Sequence, residues 1–327
     1  MRLSYAQFLE DFHLEHALGD RANGFYVDVG GGHPVVDNVS FHFYLKGWRG
    51  LVVEPQEALA RLYARLRPRD RVIDHLVGLH EGMVDFHRVG RLHGFSTIVE
   101  ANAKGAGEFG VAYETIPMRI RPLAAVLDEA QAPHIDFLKI DVEGAEADVL
   151  SGMDWSRHRP SVLCIEAIEP GSGKEAHAGW EPIVLGAGYL HAFSDGLNRF
   201  YVPKAEEALL ARFPAAMSPW DSVKHYYELG PVHAREDHPD RALAERLIKG
   251  FLATLPMLSE AGIMALLEKS APAAGMESGM ALRELLVGGA DFPGEDRWKE
   301  GDGFDDRVRA ALGRIAAQYD GGMIDEE

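Results

Sequence analysis

The chain has 327 residues, 46% of them hydrophobic, and a formal net charge of -18. That length and apolar content suffice for a substantial core and for two domains. The acidic balance excludes a general field that attracts nucleic acid or an anionic bilayer, and the single cysteine, Cys164, excludes an internal disulfide framework and a Cys-based zinc site. No stretch approaches the roughly 20 apolar residues of a membrane span, and the N-terminus lacks the apolar stretch of a signal peptide. A cytoplasmic protein is the expectation.

A short helix over 1–23 leads into alternating strands and helices over 24–203. Phe25–Val29 is an apolar strand running into glycines. Asp37 or Asn38 caps a helix carrying Val39, Phe43 and Tyr44. A second strand, 50–53, ends in Glu54-Pro55. Leu59, Leu62, Tyr63 and Leu66 recur at helical spacing and form one apolar stripe. The segment 72–77 reads as a third strand and 83–89 as an edge hairpin strand. A short helix follows over 122–130, then a strand at 137–141, a helix at 145–153 and a strand at 161–168. The segment 177–187 reads as a helix, and 189–193 with 199–202 as a closing strand pair. Such alternation predicts a mostly parallel sheet with helices on both faces. Beyond 203 the pattern is helical, clearest over 242–258 and 306–319. This extension, 204–327, holds 14 Lys plus Arg against 23 Asp plus Glu, and is expected to shape one side of the ligand crevice.

Asp28-Val29-Gly30-Gly31-Gly32-His33-Pro34 lets the backbone bend sharply and approach a ligand. Glu54, at the next strand end, is placed to accept hydrogen bonds from a ribose diol. A dinucleotide fingerprint needs a third glycine where Val35 stands, and His33-Pro34 crowds a pyrophosphate. S-adenosylmethionine has no pyrophosphate and tolerates a bulkier loop; Asp28 then faces its cationic end. Further along, Lys139, Asp141 and Glu143 alternate with Leu138, Ile140 and Val142, so ionisable groups share one face of a core strand. Charges there are costly unless paired or functional. Strand ends in an open α/β sheet face the ligand crevice, which makes Asp141, Glu143 and, on the next strand, Glu166 crevice candidates. Lys139 is expected to neutralise Asp141 or Asp28.

The stretches GFYVDVGGGHP, KGWRGLVVEP, GFSTI, IDFLKIDVEGAEADVLSGMDW, RPSVLCIEA and SDGLNRFYV together resemble the FkbM family of methyltransferases, in the family's order. The resemblance implies a Rossmann-like class I methyltransferase core of seven strands, with S-adenosylmethionine as donor. It also implies a hydroxyl acceptor on a sugar, glycan or secondary metabolite. Carried over by motif, the cofactor positions are Asp28, Gly30, Gly32, Glu54, Asp141 and the loop start Gly78-Leu79. A hydroxyl acceptor must lose a proton, for which Glu143, Asp141, Glu166 and His33 are the candidate bases. A divalent metal on Asp141 and Glu166 is the other route. A nicotinamide-dependent oxidoreductase and a non-catalytic scaffold are the rival readings. The expected partners are a small-molecule or glycan acceptor and no nucleic acid, with a homo-oligomer left open.

Overall fold

The computed structural model describes residues 2–19, 21–89, 93–105, 112–169, 173–213 and 223–266, together with 308, 312, 313, 315 and 316. The chain divides into two compact units, Met1–Glu228 and Leu229–Glu327. In chain order the first unit contains β1 (Arg2–Ser4), α1 (Glu10–Leu18), β2 (Phe25–Val29), α2 (Val39–Leu45), β3 (Arg49–Val53), α3 (Glu57–Leu66) and β4 (Arg71–Ile73). It continues with β5 (Leu76–Gly78), β6 (Gly82–Val89), α4 (Glu100–Gly105), β7 (Tyr113–Pro122), α5 (Leu123–Glu129), β8 (Phe137–Ile140) and α6 (Glu146–Ser151). Last come β9 (Val162–Glu166), α7 (Glu181–Gly186), β10 (Tyr189–Ser194), β11 (Asn198–Pro203) and β12 (Val223–His225).

Seven strands form one sheet in the order β10-β11-β9-β8-β2-β3-β4. β2, β3, β4, β8 and β9 run parallel, whereas β11 is antiparallel to both β9 and β10. The sheet is therefore mixed, parallel at its centre and antiparallel along one side. The central strands read as near-continuous apolar runs because both of their faces are covered. Val27, Val29, Leu138, Ile140, Leu163 and Ile165 pack on one side with α5 and α6 residues. Tyr26, Phe137, Val162 and Cys164 pack on the other with α1 and α2 residues. From β2 the chain builds outward to β3 and β4 on one side, then returns to lay β8 and β9 on the other. The strand order reverses at β2, and in such sheets the crevice at the strands' carboxyl ends binds ligands.

Three expectations about this unit are corrected. The apolar run 72–77 is not one strand: β4 ends the large sheet, while β5 joins a separate three-stranded sheet in the order β5-β7-β6. β7, which the sequence did not announce, carries Pro117 and buries only Ile120. Pro117 lies opposite Asp85 of β6, beyond the 120–122 stretch where β5 pairs, so its missing N–H interrupts no ladder on that side. The expected helix over 177–187 is a short 3₁₀ turn, His177–Gly179, followed by α7 with Pro182 in its first turn. At the N-terminus, β1 and α1 stand where one helix was expected, and β1 pairs in parallel with β12.

The second unit contains α8 (Arg241–Thr254) and a 3₁₀ turn, Leu255–Met257. Ile263, Val308 and Leu312 form its small apolar cluster. Most of the expected helix over 306–319 lies outside the described residues. Among the described residues no helix is long and apolar enough to cross a membrane.

Candidate active site

The glycine loop after β2 is held from below by backbone and from behind by a buried polar network. Gly30 and Gly31 N–H both donate to the Val53 carbonyl, at 3.0 and 3.1 Å. Gly30 has φ +80°, and a Cβ there would lie 1.7 Å from the Asp141 carbonyl oxygen, so β2 and the strand beside it approach only because the residue is glycine. The Gly31 carbonyl accepts from Tyr63 Oη at 2.7 Å and Asn38 Nδ2 at 2.8 Å. Asn38 also caps α2, its Oδ1 accepting from Phe41 N–H at 2.8 Å. Arg67, fully buried, donates to the Pro34 carbonyl, Asn38 Oδ1 and Ser40 Oγ, and pairs with Asp70 at 2.7 Å. Ser40 in turn donates to Asp28 at 2.5 Å. His33 Nδ1 accepts from the Val35 and Val36 N–H groups at 3.1 and 3.0 Å, which assigns it to shaping the turn.

Glu54 is 2% exposed. Its Oε2 accepts from Gly32 N–H and its Oε1 from Gln56 N–H, both at 2.8 Å. Burial, opposed by these two backbone bonds, pushes its carboxyl up to about 7. The Gln56 side chain also bonds this carboxylate, and nothing lies within 4 Å of where a Cβ on Gly32 would be, so the loop is open there.

The register places Asp28, Lys139 and Cys164 side by side on β2, β8 and β9. Lys139 Nζ donates to Asp141 Oδ2 at 2.7 Å. Burial works against this ammonium, but the Asp141 and Asp28 carboxylates outweigh it and hold Lys139 above its ordinary range. Just past β8 the backbone turns through Glu143 at φ +58° and Gly144 at φ +100°. A non-glycine residue in that region is strained by about 1–2 kcal/mol, and the surroundings hold it there. The Glu143 carbonyl accepts from Thr97 Oγ1 at 2.9 Å and Asn102 Nδ2 at 2.8 Å. Glu146 Oε1 accepts from the Val142 and Gly144 N–H groups on either side.

This turn brings one oxygen each of Asp141, Glu143 and Glu166 within 4.8 Å of one another. Burial first, then the Asp141 charge, pushes both Glu143 and Glu166 well above the carboxylate range. Asp28, Gly30, Gly32, His33, Glu54, Asp141, Glu143 and Glu166 line a single cavity of about 1030 Å³, ample for a cofactor-sized ligand. Gly78 and Leu79 do not: Gly78 packs against Ile120 and Gly152, and Leu76 and Val77 line the cavity instead. Phe8, Phe95 and Tyr227 add an aromatic side that sequence reasoning left unassigned. Tyr63 and Arg67 were equally illegible, since one reads as part of an apolar stripe and the other as a surface cation at a helix end.

Residues 28–190 match a family model described as Methyltransferase FkbM domain. No curated protein and no solved structure matches the chain.

Proposed function

Residues 28–190 are an FkbM methyltransferase domain, and from that premise we propose that the chain transfers a methyl group from S-adenosylmethionine to a neutral hydroxyl, on a sugar, glycan or secondary metabolite. The observation that carries this reading is one cavity with a glycine-lined, Glu54-bearing end and a second end where three carboxylates converge. The donor fits the first end. Gly32 leaves space beside Glu54, whose carboxylate suits a ribose diol, and Asp28 suits a cationic tail. When bound, S-adenosylmethionine supplies a methyl group activated by a sulfonium charge.

The chain's own task is then alignment and proton removal. The Asp141–Glu143–Glu166 group holds the acceptor oxygen, and one of its carboxylate oxygens takes the hydroxyl proton. The acidic lining repels phosphate- or carboxylate-bearing acceptors, which favours a neutral one. Phe8, Phe95 and Tyr227 in the cavity lining suit the C–H side of a sugar ring.

Labelled methyl donor offered with a panel of glycans and polyols tests this reading. Label recovered as an alkali-stable methyl ether is the expected result. Label recovered as an alkali-labile ester or on nitrogen overturns the hydroxyl assignment.

A further inference from the structure

We infer that Asp141, Glu143 and Glu166 bind one divalent, oxygen-preferring cation of the Mg²⁺ or Mn²⁺ type, to which the acceptor hydroxyl coordinates; the second clause rests on the methyl-transfer reading, the first does not. Oxygens bound to one such ion at about 2.0–2.6 Å lie no more than about 5 Å apart even when opposite each other, and the three carboxylates already present one oxygen each within 4.8 Å. The donor set is oxygen only, with no histidine or cysteine in the group, which selects a hard cation.

A second observation is independent of that spacing. Glu166 is 8% exposed, lines the cavity, and its Oε2 has no hydrogen-bond partner among the described residues. A buried carboxylate oxygen without a donor is costly and rare. Its chain neighbours do not relieve it, because β9 already spends its backbone groups on β8 and β11. Lys139 is engaged by Asp141 at 2.7 Å, on the Asp28 side of the group. Among the described residues, Glu143 and Glu166 thus form no ion pair of their own. An ion at their centre satisfies the orphaned oxygen, offsets the residual charge, and leaves open positions facing the cavity for water or a substrate oxygen. The left-handed turn at Glu143, anchored by Thr97 and Asn102, is what aims the third ligand inward.

Full-length protein freed of metal with EDTA is titrated with Mn²⁺ alone, and free Mn²⁺ is read by electron paramagnetic resonance. S-adenosylhomocysteine binding to the same metal-free protein is measured in parallel by calorimetry. The expected result is one Mn²⁺ per chain, displaced by Mg²⁺. Glu166→Gln and Glu143→Gln each weaken Mn²⁺ about tenfold or more while leaving S-adenosylhomocysteine affinity within about threefold. Circular dichroism melting of each variant in EDTA confirms folding; if Glu166→Gln fails to fold, Glu143→Gln, at a partly exposed position, carries the test. Absence of Mn²⁺ binding at millimolar concentration, or equal binding by wild type and variants, overturns the cation site. So does a loss of S-adenosylhomocysteine binding in Glu166→Gln as large as the Mn²⁺ loss, which assigns Glu166 to the donor's ammonium. Mn²⁺ binding without S-adenosylhomocysteine binding keeps the site and removes the methyl-transfer reading, and the reverse outcome does the opposite.

Discussion

Glu54 shows how one buried carboxylate serves two ends. It fixes the Gly32 and Gln56 N–H groups and lines the cavity. Glu54→Ala should weaken S-adenosylhomocysteine binding by roughly 5- to 150-fold, the cost of about 1–3 kcal/mol for hydroxyls left unpaired, as measured by calorimetry. A ribose diol donating to Glu54 selects its ionised form. Because burial raises that carboxyl to about 7, affinity should fall as pH drops below that value, by up to about tenfold per unit, and Glu54→Gln should flatten the profile. At the other end, Glu143→Gln keeps the shape and removes charge and basicity. Turnover should drop by ~10²–10⁴-fold with donor affinity nearly unchanged, and full activity would remove Glu143 from the chemistry. The Lys139, Asp141 and Glu143 alternation was readable because period-2 patterning puts ionisable groups on one strand face. What patterning did not carry is that β8 ends at Ile140, so the backbone turn after it, rather than the strand, aims Glu143.

Elements set the site through the loops they anchor. The short segment before α4 contributes Thr97, and α4 contributes Asn102; both donate to the Glu143 carbonyl and hold its strained turn. Thr97→Val with Asn102→Ala frees that turn. The double variant should lose turnover by an order of magnitude or more while S-adenosylhomocysteine affinity and melting temperature change little, and a parallel loss of all three would mark a purely structural role. Strands with two covered faces, β2, β3, β8 and β9, were legible as apolar runs. β7 was not, since its outward-facing residues and Pro117 hide a strand whose partners lie 24 to 44 residues upstream. The same non-local pairing split the run 72–77 between two sheets. The anchoring of Gly31 by Tyr63, Asn38 and Arg67 joins residues that are distant along the chain, which no local pattern reports.

Across the molecule, acid groups buried without full compensation link stability to pH. Glu10, 1% exposed, accepts from Phe8 N–H and Asn198 Nδ2 and is pushed by burial, then by the Asp195 charge, to about 8. A carboxyl raised above its unfolded value of 4.5 contributes stability that is full below 4.5 and is lost as pH rises through about 8. Glu54 acts in the same direction up to about 7. Melting temperature should therefore fall from pH 5 toward pH 8, and Glu10→Gln should lessen the slope; a wild-type melting temperature that rises over this range contradicts the burial argument. A mostly parallel sheet was foreseeable from alternating elements and its seven strands from the family resemblance, whereas its antiparallel side was not, because a hairpin's apolar face looks the same in either direction. The central claim concerns what fills the cavity between Glu54 and the carboxylates, and calorimetric titration of the full chain with S-adenosylhomocysteine and, separately, with NAD tests it most directly. One S-adenosylhomocysteine per chain at micromolar affinity, about -8 kcal/mol, with no heat from NAD, is the predicted result. Binding of NAD with none of S-adenosylhomocysteine would contradict the account.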